Sequence, residues 1–206
     1  MGSSSALPDA AWTPPASTAD FATDPRVCGM PRYIAFLRGI NVANRRVTMV
    51  RLRELFAELG LPGVRTYIQT GNVFFDSEED RGELRARIED HLGSALGFPV
   101  PALLRTVEEV AVVLALDPFA GREITDTMRC AVTFTSEPWP VGVELPMTTA
   151  RGDLEVVAAT AGEVFTIWHL VGGRPPSSDL PKGLFTGPVT TRMFGTTAKI
   201  LAAARA

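Results

Sequence analysis

Two short polar turns hold the residues of this chain best suited to chemistry: Arg38-Gly39-Ile40-Asn41 and Gln69-Thr70-Gly71-Asn72. Arg38 follows an apolar run and precedes a glycine. A guanidinium at such a strand end offers a rigid fork of N–H donors that matches carboxylate or phosphate. Gly39 lets a backbone or a ligand approach closely, and Gly71 joins the candidates as part of its turn. Asn41, Gln69 and Asn72 add amide donors and acceptors. Together these form a recognition set for a small anionic or nucleotide-like molecule. They also have a plainer use, because Asn and Gly are what tight turns demand. A third polar stretch, Thr190-Thr191-Arg192, precedes a segment of helical pattern that contains Lys199. A phosphate there would meet free amides at a helix N-terminus, with Thr191, Arg192 and Lys199 as side-chain partners. The competing reading is capping of that helix by Thr196 or Thr197.

Residues for covalent chemistry are sparse. Nucleophilic catalysis needs a Ser or Cys beside a positioned base, and His91 and His169 adjoin no nucleophile motif. Gly-x-Ser-x-Gly, a phosphate-binding loop and a dinucleotide fingerprint are all missing. Cys28, Cys130, His91 and His169 lie too far apart in sequence for zinc-ligand spacing. The run Glu78-Glu79-Asp80 lacks the alternation of a calcium loop. No catalytic constellation, metal or cofactor is therefore expected. Arg45 and Arg46 could reach phosphates but fit a charged loop tip. Tyr67 and Phe74 would stack bases only if their sheet face were open, and their alternation fits cross-strand packing instead.

The elements that position the turns follow from periodicity. Tyr33 to Leu37 is a continuous apolar run, as in a strand covered on both faces. Thr48 can cap a helix carrying Met49, Leu52, Leu55, Phe56 and Leu59, which Gly60 ends. Val64 to Gln69 alternates as a strand, and Thr70-Gly71 reads as a two-residue turn into Asn72 to Asp76. Ser77 or Asp80 starts a second helix, and Val100 to Arg105 is a strand whose flanking prolines place it at an edge. The order strand, helix, strand, strand, helix, strand is the ferredoxin-like plan. Its right-handed crossover makes the first two strands parallel with the third between them, so both polar turns fall on one sheet edge.

The second half echoes the first less cleanly. Thr106 and Glu109 form a capping box, Arg129 to Thr135 is a strand, and Leu154 to Ala159 pairs with Val164 to Leu170 as a hairpin. Asp179 to Phe185 reads as a short helix, Val189 to Met193 as extended, and Thr196 to Ala204 as a terminal helix. The expected architecture is α+β: two ferredoxin-like (βαββαβ-type) sandwiches packed together, the second irregular, with a C-terminal helix. Residues 1–29 read as a disordered extension in which Trp12 and Phe21 have no assigned place; 30–106 and 107–206 read as the two subdomains.

Composition narrows the partners. The chain has 206 residues, 46% hydrophobic and 21% charged, and no apolar run near the ~20 residues a membrane helix needs. No secretory signal is visible, and Cys28 in the extension argues against a structural disulfide, so a reducing, cytoplasmic setting is expected with no membrane partner. The net charge of -3 argues against nucleic acid. The distribution is uneven. Between residues 32 and 65 seven arginines face two glutamates, and from 174 to the end five cations face Asp179. Both basic segments would border one anion-attracting site, although solvated helix faces also account for such charges.

The motifs Tyr33-Ile34-Ala35-Phe36-Leu37-Arg38-Gly39-Ile40-Asn41-Val42, Thr66-Tyr67-Ile68-Gln69-Thr70-Gly71-Asn72-Val73 and Thr190-Thr191-Arg192 resemble the DUF1697 family. The resemblance implies a two-subdomain α+β fold and no assigned reaction. Where that family continues with Asn-Trp-Asn-Thr, this chain has Met193-Phe194-Gly195-Thr196, which keeps an aromatic and loses both amides. The functional expectation is a binding protein for a small anionic or nucleotide-like ligand at a sheet edge. The alternatives are an enzyme acting on a phosphate-containing substrate, which requires a carboxylate or His within reach of Arg38, and a nucleic-acid-binding module. The sequence does not specify an oligomeric state.

Overall fold

The structure is a computed structural model that describes residues 29–42 and 45–206. The extension expected over 1–29, with Trp12, Phe21 and Cys28, lies outside the described residues apart from Gly29. The chain folds as β1 (Arg32–Leu37), α1 (Met49–Glu58), β2 (Arg65–Tyr67), β3 (Asn72–Asp76), α2 (Arg81–Leu96), β4 (Ala102–Thr106), α3 (Val107–Ala115), β5 (Met128–Thr135), β6 (Met147–Thr148), β7 (Leu154–Ala159), β8 (Glu163–His169), β9 (Val189–Met193) and α4 (Phe194–Arg205). Two sheets result, ordered β2-β3-β1-β4 and β6-β7-β8-β5-β9, and the fold is mixed α+β. Among the described residues no helix is long and apolar enough to cross a membrane.

Helix ends form where capping chemistry allows. The Thr48 hydroxyl accepts from the Arg51 amide at α1, Asp80 accepts from two amides at α2, and Thr106 with Glu109 closes a reciprocal capping box at α3. α4 differs. It begins two residues before the expected Thr196, its N-cap is Met193, and no side chain caps it. Thr197 lies inside the helix, where its hydroxyl donates to the Met193 carbonyl, so neither candidate threonine caps. The segment Asp179 to Phe185 forms turns and bends rather than the expected helix. Pro181 and Gly183 within it explain this, since both oppose helix propagation.

Strand periodicity decides which face each side chain serves. In the first sheet Tyr33, Ala35, Leu37, Val73, Phe75, Ala102 and Leu104 face α1 and α2. Ile34, Phe36, Phe74 and Leu103 face the other way, into a cluster shared with Val132, Phe134, Phe165 and Ile167 of the second sheet and with α3 and α4. Phe36 stacks on Phe134 with ring centroids 4.0 Å apart. The face bearing Phe74 is thus closed by the second sheet, which removes the base-stacking use of that face. β3 is antiparallel to both β1 and β2, so β1 and β2 run parallel with β3 between them. In the second half α3 and α4 stand before and after the five strands rather than between them, and this is the form its irregularity takes.

Candidate functional site

The ends of β1 and β2 meet at one corner of the first sheet. Phe36 is paired with Asn72, and the Leu37 amide donates to the Gly71 carbonyl at 2.8 Å. Gly71 has φ +78°, and a Cβ placed there would lie 2.7 Å from Ile40 Cδ1 and 3.1 Å from Leu37 Cβ, so conformation and space both demand glycine. The turn is longer than the sequence indicates. β2 ends at Tyr67 opposite Asn72, and Ile68 to Gly71 form a four-residue connection in which Ile68 has φ 49°. The Asn72 amide group explains the early end of the strand, because it donates to the Tyr67 carbonyl at 3.1 Å and to the Thr70 hydroxyl at 3.0 Å. Asn41, itself at φ 55°, donates to the Gln69 carbonyl at 2.7 Å and accepts from the Val47 amide at 2.8 Å.

Arg192 enters this corner from β9. Its residue is 9% exposed. Nε donates to Asn72 Oδ1 at 2.8 Å. Nη1 donates to the Thr190 hydroxyl and the Thr191 carbonyl, each at 2.9 Å. Nη2 donates to the carbonyls of Leu37 at 3.2 Å and Thr70 at 2.9 Å. An arginine has five N–H donors, and all are used on neutral acceptors. No carboxylate bonds it among the described residues. Burial pulls its pKa down to about 10, with the charge of Asp179 pulling the other way. The group remains a cation at neutral pH, fixed in the wall without a bonded counter-charge.

Arg192 lines an open cleft of about 810 Å³ between the first-sheet corner and residues 178–196. Arg38, Gly39, Asn41, Gln69 and Thr191 line it too; the crossover brings the first four together, and β9 supplies Thr191 beside Arg192. Their roles divide. Arg38 and Gln69 are exposed, and the side chain of neither has a hydrogen-bond partner among the described residues. Asn41 is committed to the Gln69 carbonyl and the Val47 amide, and Asn72 and Arg192 to each other and to the surrounding turn. The Thr191 hydroxyl pairs with that of Thr133 at 2.8 Å. Gly71 and Asn72 lie buried behind the wall. Lys199 does not line the cleft; it is exposed five residues into α4 because that helix starts early.

The cleft also contains residues that sequence reasoning missed. Asp179 and Lys182 come from the segment expected to be helical, Thr186 follows it directly, and Met193 and Thr196 belong to the uncapped start of α4. Pro181-Lys182-Gly183 was the available signal, since that tripeptide marks a loop. Among the described residues no histidine or cysteine lines the cleft. His91 bonds Glu58 at 3.1 Å, His169 stands 3.9 Å from Glu155, and Cys130 is half-buried with its thiol pKa raised by burial.

Comparison with known proteins places the fold. The family model described as "Protein of unknown function (DUF1697)" matches residues 30–165. Thr190-Thr191-Arg192 lies beyond that match and rests on its geometry. No curated protein matches the sequence. Among solved structures, the chain is similar to the conserved bacterial protein SP0830 from Streptococcus pneumoniae, with a TM-score of 0.61 and 22% identity over 86% of this chain and 99% of that one.

Proposed function

We propose, for a chain that belongs to the DUF1697 family of proteins of unknown function, that the cleft at the first-sheet corner binds a small anionic or nucleotide-like molecule. One observation carries this reading: three sources of positive potential from distant parts of the chain line a single cleft. Arg192 is a buried cation held only by neutral acceptors. The first turn of α4 has no side-chain cap, so its free amides and the positive end of its dipole serve an anion. Arg38 and Lys182 are exposed cations on the lining. Asp179 is the one carboxylate on the lining among the described residues, and a group placed there suits ligand hydroxyls.

In this reading Arg38 and Gln69 contact the ligand, while Asn41, Asn72 and Arg192 shape the wall and supply fixed charge. The first half is read as a ferredoxin-like subdomain over 30–106, and 107–206 as its irregular partner. The test is thermal unfolding of the whole chain with inorganic phosphate, sulfate or adenosine monophosphate. Each should raise Tm, and Arg38→Ala should weaken the response about tenfold without lowering the ligand-free Tm. A chain whose Tm none of these anions moves, or whose response survives Arg38→Ala and Lys182→Ala together, does not bind anions here.

A further inference from the structure

Ile68 stands out because its conformation is unfavourable and its side chain stays outside the apolar clusters. Its φ is +49°, a region that β-branched residues essentially avoid. It is 43% exposed and belongs to none of the three apolar clusters. The turn nevertheless holds it firmly. The carbonyls of Tyr67, Gln69, Thr70 and Gly71 are each taken by a donor from Asn72, Asn41, Arg192 and Leu37 respectively. Such over-determination is what allows a strained backbone to persist, and strained positions of this kind cluster where ligands are gripped. The side chain lines the cleft together with Val42, which is 52% exposed. Leu180 and Phe185 line it from the second half. The cleft therefore combines cations with apolar side chains contributed by both halves.

We infer that Ile68 sets the specificity of the cleft, which takes an amphipathic anion: a phosphate or carboxylate head bearing an apolar or aromatic body, with the body lying against Ile68. This rests on the anion-binding reading above and adds the chemistry of the rest of the ligand. Glycine and asparagine both tolerate a left-handed backbone, so Ile68→Gly and Ile68→Asn each remove the apolar contact while keeping the turn.

The experiment compares inorganic phosphate with phenyl phosphate on the whole chain by thermal shift and calorimetry. The unchanged chain should bind phenyl phosphate about tenfold more tightly than inorganic phosphate, as expected for burial of a small apolar group. Ile68→Gly and Ile68→Asn should abolish that preference, leave the phosphate response intact, and raise or preserve the ligand-free Tm. If the unchanged chain shows no preference, or either folded variant keeps it, the role of Ile68 is overturned while anion binding stands. If neither anion binds the unchanged chain, the anion reading fails and this inference fails with it.

Discussion

Two arginines cross between the sheets, and their surroundings differ in one respect. Arg105 of β4 reaches the β7–β8 hairpin, where Nε bonds Glu163 Oε1 at 2.7 Å and Nη2 bonds the carbonyls of Gly162 and Thr135. Arg192 of β9 reaches back to the first-sheet corner and finds only neutral acceptors. Both sites knit the halves together with similar numbers of hydrogen bonds. The first is electrically closed, with little room for anything else. The second places a net positive charge in the wall of a cleft that also receives the start of α4. A buried ion pair is a structural device, whereas a buried cation without a bonded anion creates a field that a ligand can use.

The largest effect that would sharpen this contrast is at Arg105. Arg105→Met should cost about 3–5 kcal/mol in denaturant unfolding, because it strands the buried Glu163 carboxylate. Adding Glu163→Leu should recover most of that loss, since an apolar pair can replace a buried ion pair. Arg192→Met should cost about 2–3 kcal/mol, because it leaves neutral acceptors rather than a charge unpaired. It should also abolish the anion response, which Arg105→Met should spare in whatever fraction remains folded. If both variants lose anion binding to the same degree, the contrast between the two arginines collapses.

Smaller effects probe the start of α4 and the charge itself. Met193→Asn should cap the helix, raise stability by about 1 kcal/mol, and weaken phosphate binding by occupying the amides an anion would use. Sulfate does not titrate in the accessible range, and among the described residues no histidine or cysteine lines the cleft. Its affinity should therefore stay level from about pH 6 to 9, while Arg192 is protonated, and decline as pH rises through the folded value of about 10. A midpoint near pH 6.5 would instead assign the binding to a histidine outside the cleft.

Much of the first half was legible because its signals are local. Thr48, Asp80 and the Thr106–Glu109 pair cap helices as their spacing predicts. The apolar run of β1 is buried on both faces because one parity packs on α1 and α2 and the other on the second sheet. The errors have local and distant causes: Pro181 and Gly183 break the expected helix from within, whereas Asn41 and Arg192 hold the β2–β3 turn from afar. β2 stops at Tyr67 because Asn72 captures its carbonyl, and the turn doubles in length. Lys199 misses the cleft because β9 ends in an uncapped helix start rather than a threonine cap.

The element order of the first half and the crossover that sets Arg38 and Gln69 at one corner are written in the amino-acid sequence. These depend on spacing, capping and chirality, which act within a few residues or through connection rules. The bond from Arg192 to Asn72, 120 residues away, the contact that demands glycine at 71, and the presence of Asp179 and Lys182 on the same lining as Arg38 arise when the halves pack. Period-two patterning says which side chains share a face. It does not say what lies across from that face, and hydrogen bonds a few ångströms long are settled only when the two sheets meet.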